Sequence, residues 1–148
     1  MAGFNNTPPA SEFRRPTSWG RTRSPKNVLS SHRAGTSSTG ATLNVPTAAP
    51  TATDSSLGYV TENQRFLHLL LDTDASGDNR TVTVYGFSYA LGRWSPLTDT
   101  RGNAVTIAAN DASTYKVFEI YGTDKVYFQI NSDFTEADDF FYAAGSTF

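Results

Sequence analysis

The segment 72–78 (DTDASGD) comes closest to a metal-binding motif in this chain. Its first, third and fifth positions carry side chains with oxygen atoms, and glycine stands at the sixth, as at the start of a calcium loop. The twelfth position of such a loop should be a bidentate acid and is Thr83. Because Asp, Ser and Gly are also ordinary turn residues, we expect a solvated hairpin turn, and calcium binding stays an open alternative.

Other groups that could do acid–base or metal chemistry are few. The two histidines are His32 and His68, and there is no cysteine. His68 lies inside an apolar run, where a lone histidine usually packs or forms hydrogen bonds rather than acting as a base. The acids Glu136, Asp138 and Asp139 precede an aromatic pair, and we interpret them as a solvated turn with ordinary pKa values. The sequence therefore predicts no enzyme and no catalytic, metal or cofactor site.

A basic segment near the N-terminus carries the clearest binding chemistry. Cations interleaved with aromatic residues can bind single-stranded nucleic acid, or lie along an acidic protein surface with the aromatic rings as anchors. The acidic remainder of the chain would repel a polyanion, so we favour a protein partner over nucleic acid or a simple solubilising tail. The predicted partner-binding residues are Phe4, Phe13, Arg14, Arg15, Trp19, Arg21, Arg23 and Lys26.

The net charge and the content of large apolar residues both change near residue 56. Residues 1–54 carry a net charge of +4 and residues 55–148 a net charge of −6, which together give −2. The first part is rich in Ser, Thr and Pro, and its few large apolar side chains cannot offset chain ordering, which costs roughly 1–2 kcal/mol per backbone residue. We predict an extended arm at 1–56 that adds almost nothing to the core, and a folded domain at 57–148.

The folded domain alternates short apolar runs with turn residues. The run 65–71 (RFLHLLL) predicts a strand buried on both faces, and 80–90 (RTVTVYGFSYA) predicts a strand with both faces occupied. The segments 115–121 and 125–131 flank a short glycine-containing loop and predict a β-hairpin. No window has a sustained helical period. The sequence therefore predicts an all-β fold, a small β-sandwich or jelly roll preceded by the long extended N-terminal arm.

The C-terminal segment 140–148 (FFYAAGSTF) is apolar and aromatic to its last residue. We expect Phe140 or Phe141 to lie in the core and Phe148 to contact another copy of the chain. So many aromatic residues in a small domain favour a homo-oligomer, for which a trimer is our expectation.

Membrane attachment is not expected from this sequence. No run approaches the roughly 18 consecutive apolar residues that a spanning helix needs. The first residues, MAGFNNTPP, lack the apolar stretch of a secretory signal. We therefore expect no membrane partner.

The segments 81–97 (TVTVYGFSYALGRWSPL) and 126–148, with the basic arm and the cysteine-free aromatic β domain, resemble capsid decoration (cement) proteins of tailed bacteriophages. The resemblance is one of style across the whole chain and transfers no individual functional residue. It implies a small, often trimeric β domain on the outer capsid surface, with arms that grip neighbouring subunits. We expect a virion structural protein that binds the major capsid protein or another virion protein and staples the shell.

Two other functions fit the same sequence. A tail, neck or fibre component of a phage would use the arm as an anchor and present a surface of the β domain. A receptor- or glycan-binding module would instead stack sugars on exposed aromatic rings. The candidate rings for that role are Tyr85, Tyr89, Trp94 and Tyr127.

Overall fold

The structure, a computed structural model, describes residues 28–32, 43–74, 77–136 and 138–147. These residues form β-strands connected by turns and loops, and they contain no helix, so none there could cross a membrane. The strands are β1 (Val28–His32), β2 (Tyr59–Val60), β3 (Phe66–Thr73), β4 (Arg80–Ser88), β5 (Arg93–Pro96), β6 (Thr106–Ala109), β7 (Ala112–Glu119), β8 (Lys125–Ile130) and β9 (Phe140–Ser146). The all-β prediction is confirmed.

Two antiparallel sheets make up the fold. Sheet A has the strand order β1-β9-β3-β7, and sheet B has the order β2-β8-β4-β5, with β6 also paired to β4. The long strand β3 lies inside sheet A, paired with β7 on one side and with β9 on the other. In sheet B, β4 holds the equivalent position beside β8. This arrangement is a small β-sandwich.

The main core fills the space between the two sheets. Successive side chains of a strand point to opposite faces, and in β3 the residues Leu67, Leu69 and Leu71 are buried while their neighbours are half-buried. Phe141 of β9 is fully buried, which confirms the expectation that Phe140 or Phe141 is a core residue. The other fully buried large apolar residues are Val45, Val82, Val84, Val105, Ile107, Phe128 and Ile130.

The two hairpins predicted from turn chemistry are wrong. The turn before Arg80 connects β3 of sheet A to β4 of sheet B, and the loop at Gly122 connects β7 of sheet A to β8 of sheet B. Gly122 has the positive φ of a tight turn, 95°. A short turn of this kind fits an arch between facing sheets as well as a hairpin, because in both cases the chain only has to reverse direction.

The N-terminal part of the chain contributes to the sandwich, contrary to the expectation that residues 1–56 add almost nothing to the core. Strand β1 pairs antiparallel with β9 and so extends sheet A. Leu43 and Val45 are buried in the main core. This contribution could not be predicted from the sequence, because isolated apolar residues among Ser, Thr and Pro do not form a strand-like pattern.

Candidate interaction face

The outer face of sheet B is covered by a strap, which we define as residues 46–57. Beneath it lies a second apolar cluster of Phe87, Trp94 and Tyr127. Polar atoms beneath the strap donate to its main-chain carbonyls: Trp94 Nε1 to Asp54 at 2.7 Å and the Tyr127 hydroxyl to Ala48 at 2.8 Å. The strap therefore closes the second face of β4, which the sequence predicted to be occupied.

The sugar-stacking surface considered from the sequence does not form. Trp94 and Tyr127 are buried beneath the strap, and Tyr85 is half-buried with its hydroxyl donating to Gln129 at 2.9 Å. Of the four candidate rings, Tyr89 alone is exposed. A single exposed ring does not make the stacking platform that a glycan-binding module would need.

The outer face of sheet A has a different character, because apolar side chains there reach solvent. In β3, Phe66, His68 and Leu70 are half-buried rather than covered, so the prediction of a strand buried on both faces is wrong for this face. Beside them, Tyr115 and Val117 of β7 are 61% and 44% exposed, and Tyr142 of β9 is 41% exposed. Cross-strand register completes the face with Phe140 and Ala144.

His68 lies at the centre of the outer face of sheet A. Its Nδ1 is 2.9 Å from the Tyr115 hydroxyl, and its Nε2 is 2.8 Å from Oγ of Ser146. The His68 and Tyr115 rings are also stacked, with centroids 6.3 Å apart. Burial lowers the pKa of His68, so the ring is neutral at pH 7. The prediction that His68 packs or forms hydrogen bonds is confirmed.

One end of the outer face of sheet A carries the positively charged side chain of Arg65. Arg65 forms an ion pair with Glu119 and lies over the Phe66 ring, with its guanidinium carbon 5.5 Å from the centroid. Hydrogen bonds from Arg65 and Thr100 lower the pKa of Glu119. The Arg65 side chain is still 56% exposed, so it can donate to another acid.

The opposite end of the outer face of sheet A is acidic. Asp72 is the last outward-facing residue of β3, and Asp74 and Asp138 lie close to it. Burial and the neighbouring carboxylates, Asp138 first among them, raise the pKa of Asp74. Asp138 and Asp72 both disfavour the charged form of Asp74, and a cation placed beside the three acids would relieve that repulsion.

Two further acids at this end, Asp78 and Asp139, are buried. For Asp139 this contradicts the interpretation as part of a solvated turn, whereas Glu136 and Asp138 are exposed as expected. Asp139 is fully buried and accepts a hydrogen bond from the Asp74 main-chain N–H at 2.9 Å. Asp78 is also buried and pairs with Arg80 at 2.5 Å. Burial, and then the hydrogen bond between the Asp139 and Asp78 carboxyls, raise the pKa of Asp139. Nothing in the sequence pattern separates these two acids from exposed turn residues.

Chemistry for catalysis or metal binding is sparse in the described part of the chain. No group of three or more His, Asp or Glu side chains there is arranged to hold a metal ion, and Asp78, within the suspected calcium loop, turns inward to Arg80. An open groove of about 220 Å³ beside β5 has Arg93 as its one ionisable lining residue. This groove offers no acid–base pair.

The residues predicted to bind a partner lie outside the described residues. This holds for the eight arm residues between Phe4 and Lys26, and for Phe148, the predicted contact between copies. Sequence reasoning did not identify the outer face of sheet A as a surface. The signal that could have found it was the two-faced apolar pattern of residues 65–71, which was interpreted as full burial.

Comparison with known proteins finds no matching family model, no matching curated protein and no matching solved structure.

Proposed function

We propose that this chain is a non-enzymatic structural protein of a virion, and specifically a capsid decoration protein that staples neighbouring shell subunits through its N-terminal arm. The observation that carries the proposal is the asymmetry of the sandwich. The outer face of sheet B is closed by the chain's own strap, whereas the outer face of sheet A presents Tyr115, Val117 and Tyr142 to solvent. A face of this composition is typical of a protein that works in contact with other proteins.

The attachment of the arm to the sandwich supports a stapling role. Strand β1 pairs with β9, and the strap is bonded to sheet B, so the N-terminal region meets the sandwich at two places. A force on residues before Val28 is therefore passed to the folded domain. The basic charge of these residues suits an acidic partner surface, which we propose to be the major capsid protein.

The location is tested by immunogold labelling of particles purified from the source that encodes the chain. An antiserum against the sandwich should label the outer shell at regular positions. Label confined to the tail, neck or fibres would replace the decoration role with one of the alternative virion roles. Particles that carry no label, although the chain is expressed in the same cells, would contradict a virion function altogether.

A further inference from the structure

Both central strands of the sandwich have the apolar pattern of strands that are covered on two sides. For β4 the second cover is the strap, which buries Trp94 and Tyr127 beside that strand. For β3 the outward-facing Phe66 and Leu70 are only half-buried, and Tyr142 beside them is exposed. Apolar side chains gain stability when they are removed from water, so the outer face of sheet A is suited to a cover that is not part of the described chain.

The charges at the two ends of this face limit which cover fits. Arg65 stands at the start of β3, and Arg101 lies near its partner Glu119. Asp72 stands at the far end of β3, with Asp74 and Asp138 beside it. At about 3.3 Å per residue, Arg65 and Asp72 are about 23 Å apart along the strand. Such a face is cationic at one end and anionic at the other. It is therefore complementary to the same face of a second copy that is rotated by 180° about an axis lying between the two faces and perpendicular to β3.

We propose that the outer face of sheet A is covered by the same face of a second copy, packed about a two-fold axis that passes near Leu69. In this arrangement the β3 strands of the two copies run in opposite directions, so Asp72 of the partner subunit lies opposite Phe66, within reach of the Arg65 guanidinium that covers the Phe66 ring. His68 then faces Leu70 of the partner subunit near the axis. Isologous pairing of this kind places each contact twice in the interface. The pairing goes beyond the proposed function, since it requires neither a shell nor the arm.

The size of the face sets the strength of this contact. The four strands have 5, 7, 8 and 8 residues, which at about 3.3 Å per residue and about 4.8 Å between strands give a face of roughly 440 Å² per copy. The total of about 900 Å² is the size of a weak or transient interface. We therefore expect a dimer that dissociates at about 10–100 µM, and a two-fold pair in place of the trimer expected from the sequence.

Sedimentation equilibrium of the full chain over a range of concentrations tests the pairing. The mass should rise from the 16.1 kDa of one chain towards twice that value. Tyr142→Ser, on the face, should weaken association about tenfold or more. Tyr121→Ser is the matched control, because Tyr121 is 68% exposed in the turn between β7 and β8 and lies off the face; it should leave the dissociation constant unchanged.

Charge reversal tests the two-fold geometry. Arg65→Asp and Asp72→Arg should each weaken association, because each places like charges opposite one another at both symmetric contacts. An equimolar mixture of the two variants should recover association, since every contact then joins an Asp to an Arg. Arg93→Asp, at an exposed position of β5 in sheet B, should change nothing. Thermal melting of each variant establishes that it is folded.

Three outcomes would overturn the pairing. A full chain that remains a monomer up to about 1 mM does not form the pair. Association that persists in Tyr142→Ser, or that the mixture of charge variants does not restore, places the contact elsewhere or gives it another geometry. If deletion of residues 1–27 turns a monomeric chain into a dimer that Tyr142→Ser abolishes, the arm of the same chain is the natural occupant of the face.

Discussion

Asp139 is the residue whose environment departs most from what its neighbours in sequence suggest. It follows two other acidic positions at the end of a loop, yet it is fully buried and its carboxyl faces that of Asp78. Oδ2 of Asp78 is buried and has no donor among the described residues apart from a protonated Asp139. The two carboxyls are therefore best satisfied when Asp139 keeps its proton, since a proton shared between them removes the repulsion of two buried charges.

This environment predicts how stability depends on pH. Because the pKa of Asp139 is raised in the folded protein, the folded state binds the proton more tightly than the unfolded state. That contribution is fully present below the unfolded pKa near 3.8 and is lost as pH rises through the folded pKa. In Asp139→Asn the amide can donate to Asp78 at every pH, so this part of the pH dependence of the free energy of unfolding should disappear.

Urea denaturation from pH 4 to pH 8 measures the effect. Asp139→Ala is the matched comparison, since it leaves the Asp74 N–H and Oδ2 of Asp78 without a partner and should destabilise by about 1–3 kcal/mol. Identical pH profiles for the wild-type chain and Asp139→Asn would show that Asp139 does not hold the proton.

At the scale of elements, the strap and β1 make the N-terminal region part of the fold. The strap accepts hydrogen bonds from the Trp94 indole and the Tyr127 hydroxyl, and Leu43 just before it lies in the core. Removing the strap would expose the aromatic cluster on sheet B. The structural unit therefore includes strands and loops well before residue 57.

Two truncations separate residues 1–27 from residues 28–56, the part of the predicted arm that belongs to the fold. A chain lacking residues 1–27 keeps β1, Leu43 and the strap, so its melting temperature should match that of the full chain. A chain lacking residues 1–56 loses all three and should melt far lower or fail to fold. Leu43→Ala in the full chain is the point-mutation control, with an expected loss of about 2–5 kcal/mol in the free energy of unfolding. Equal melting temperatures for the two truncations would contradict a structural role for residues 28–56.

The same elements show what the sequence could and could not predict. A near-continuous apolar run predicted β3, and alternating, β-branched or aromatic residues predicted β4, β7 and β8, because apolar side chains in such short runs mark strands of a core. The sheet to which each strand belongs could not be predicted, since the turn at Gly122 has the same local chemistry in a hairpin and in an arch between sheets. The segment or partner that covers each outer face could not be predicted either. An apolar pattern reports that a face is water-avoiding and does not report what lies over it.

At the scale of the whole molecule, charge and folding capacity are separated along the chain. The basic residues 1–27 precede a sandwich region of net negative charge. If the arm anchors the protein to an acidic shell, its aromatic residues should matter more than its individual cations. Exposed ion pairs contribute about 0–1 kcal/mol each, whereas a buried Trp or Phe anchor commonly contributes about 2 kcal/mol or more.

Trp19→Ala should therefore weaken binding to particles stripped of this protein more than Arg21→Ala does. Re-addition of each purified variant to stripped particles, followed by co-sedimentation, measures the two dissociation constants. Raised salt should reduce the difference between Arg21→Ala and the wild-type chain and leave the Trp19→Ala defect in place. Wild-type binding by the chain without residues 1–27 would show that the sandwich, and not the arm, attaches to the particle.

The pairing of β1 with β9 also defines how the molecule would respond to tension. A pull on the arm reaches the sandwich first at Val28, where β1 meets Ala144 of β9. If that short strand detaches, the load passes to the next described contacts along the chain, which are Leu43 in the core and the strap on sheet B. The joint between residues 1–27 and the sandwich would thus yield in two stages, with release of β1 first and strain on contacts of the core second.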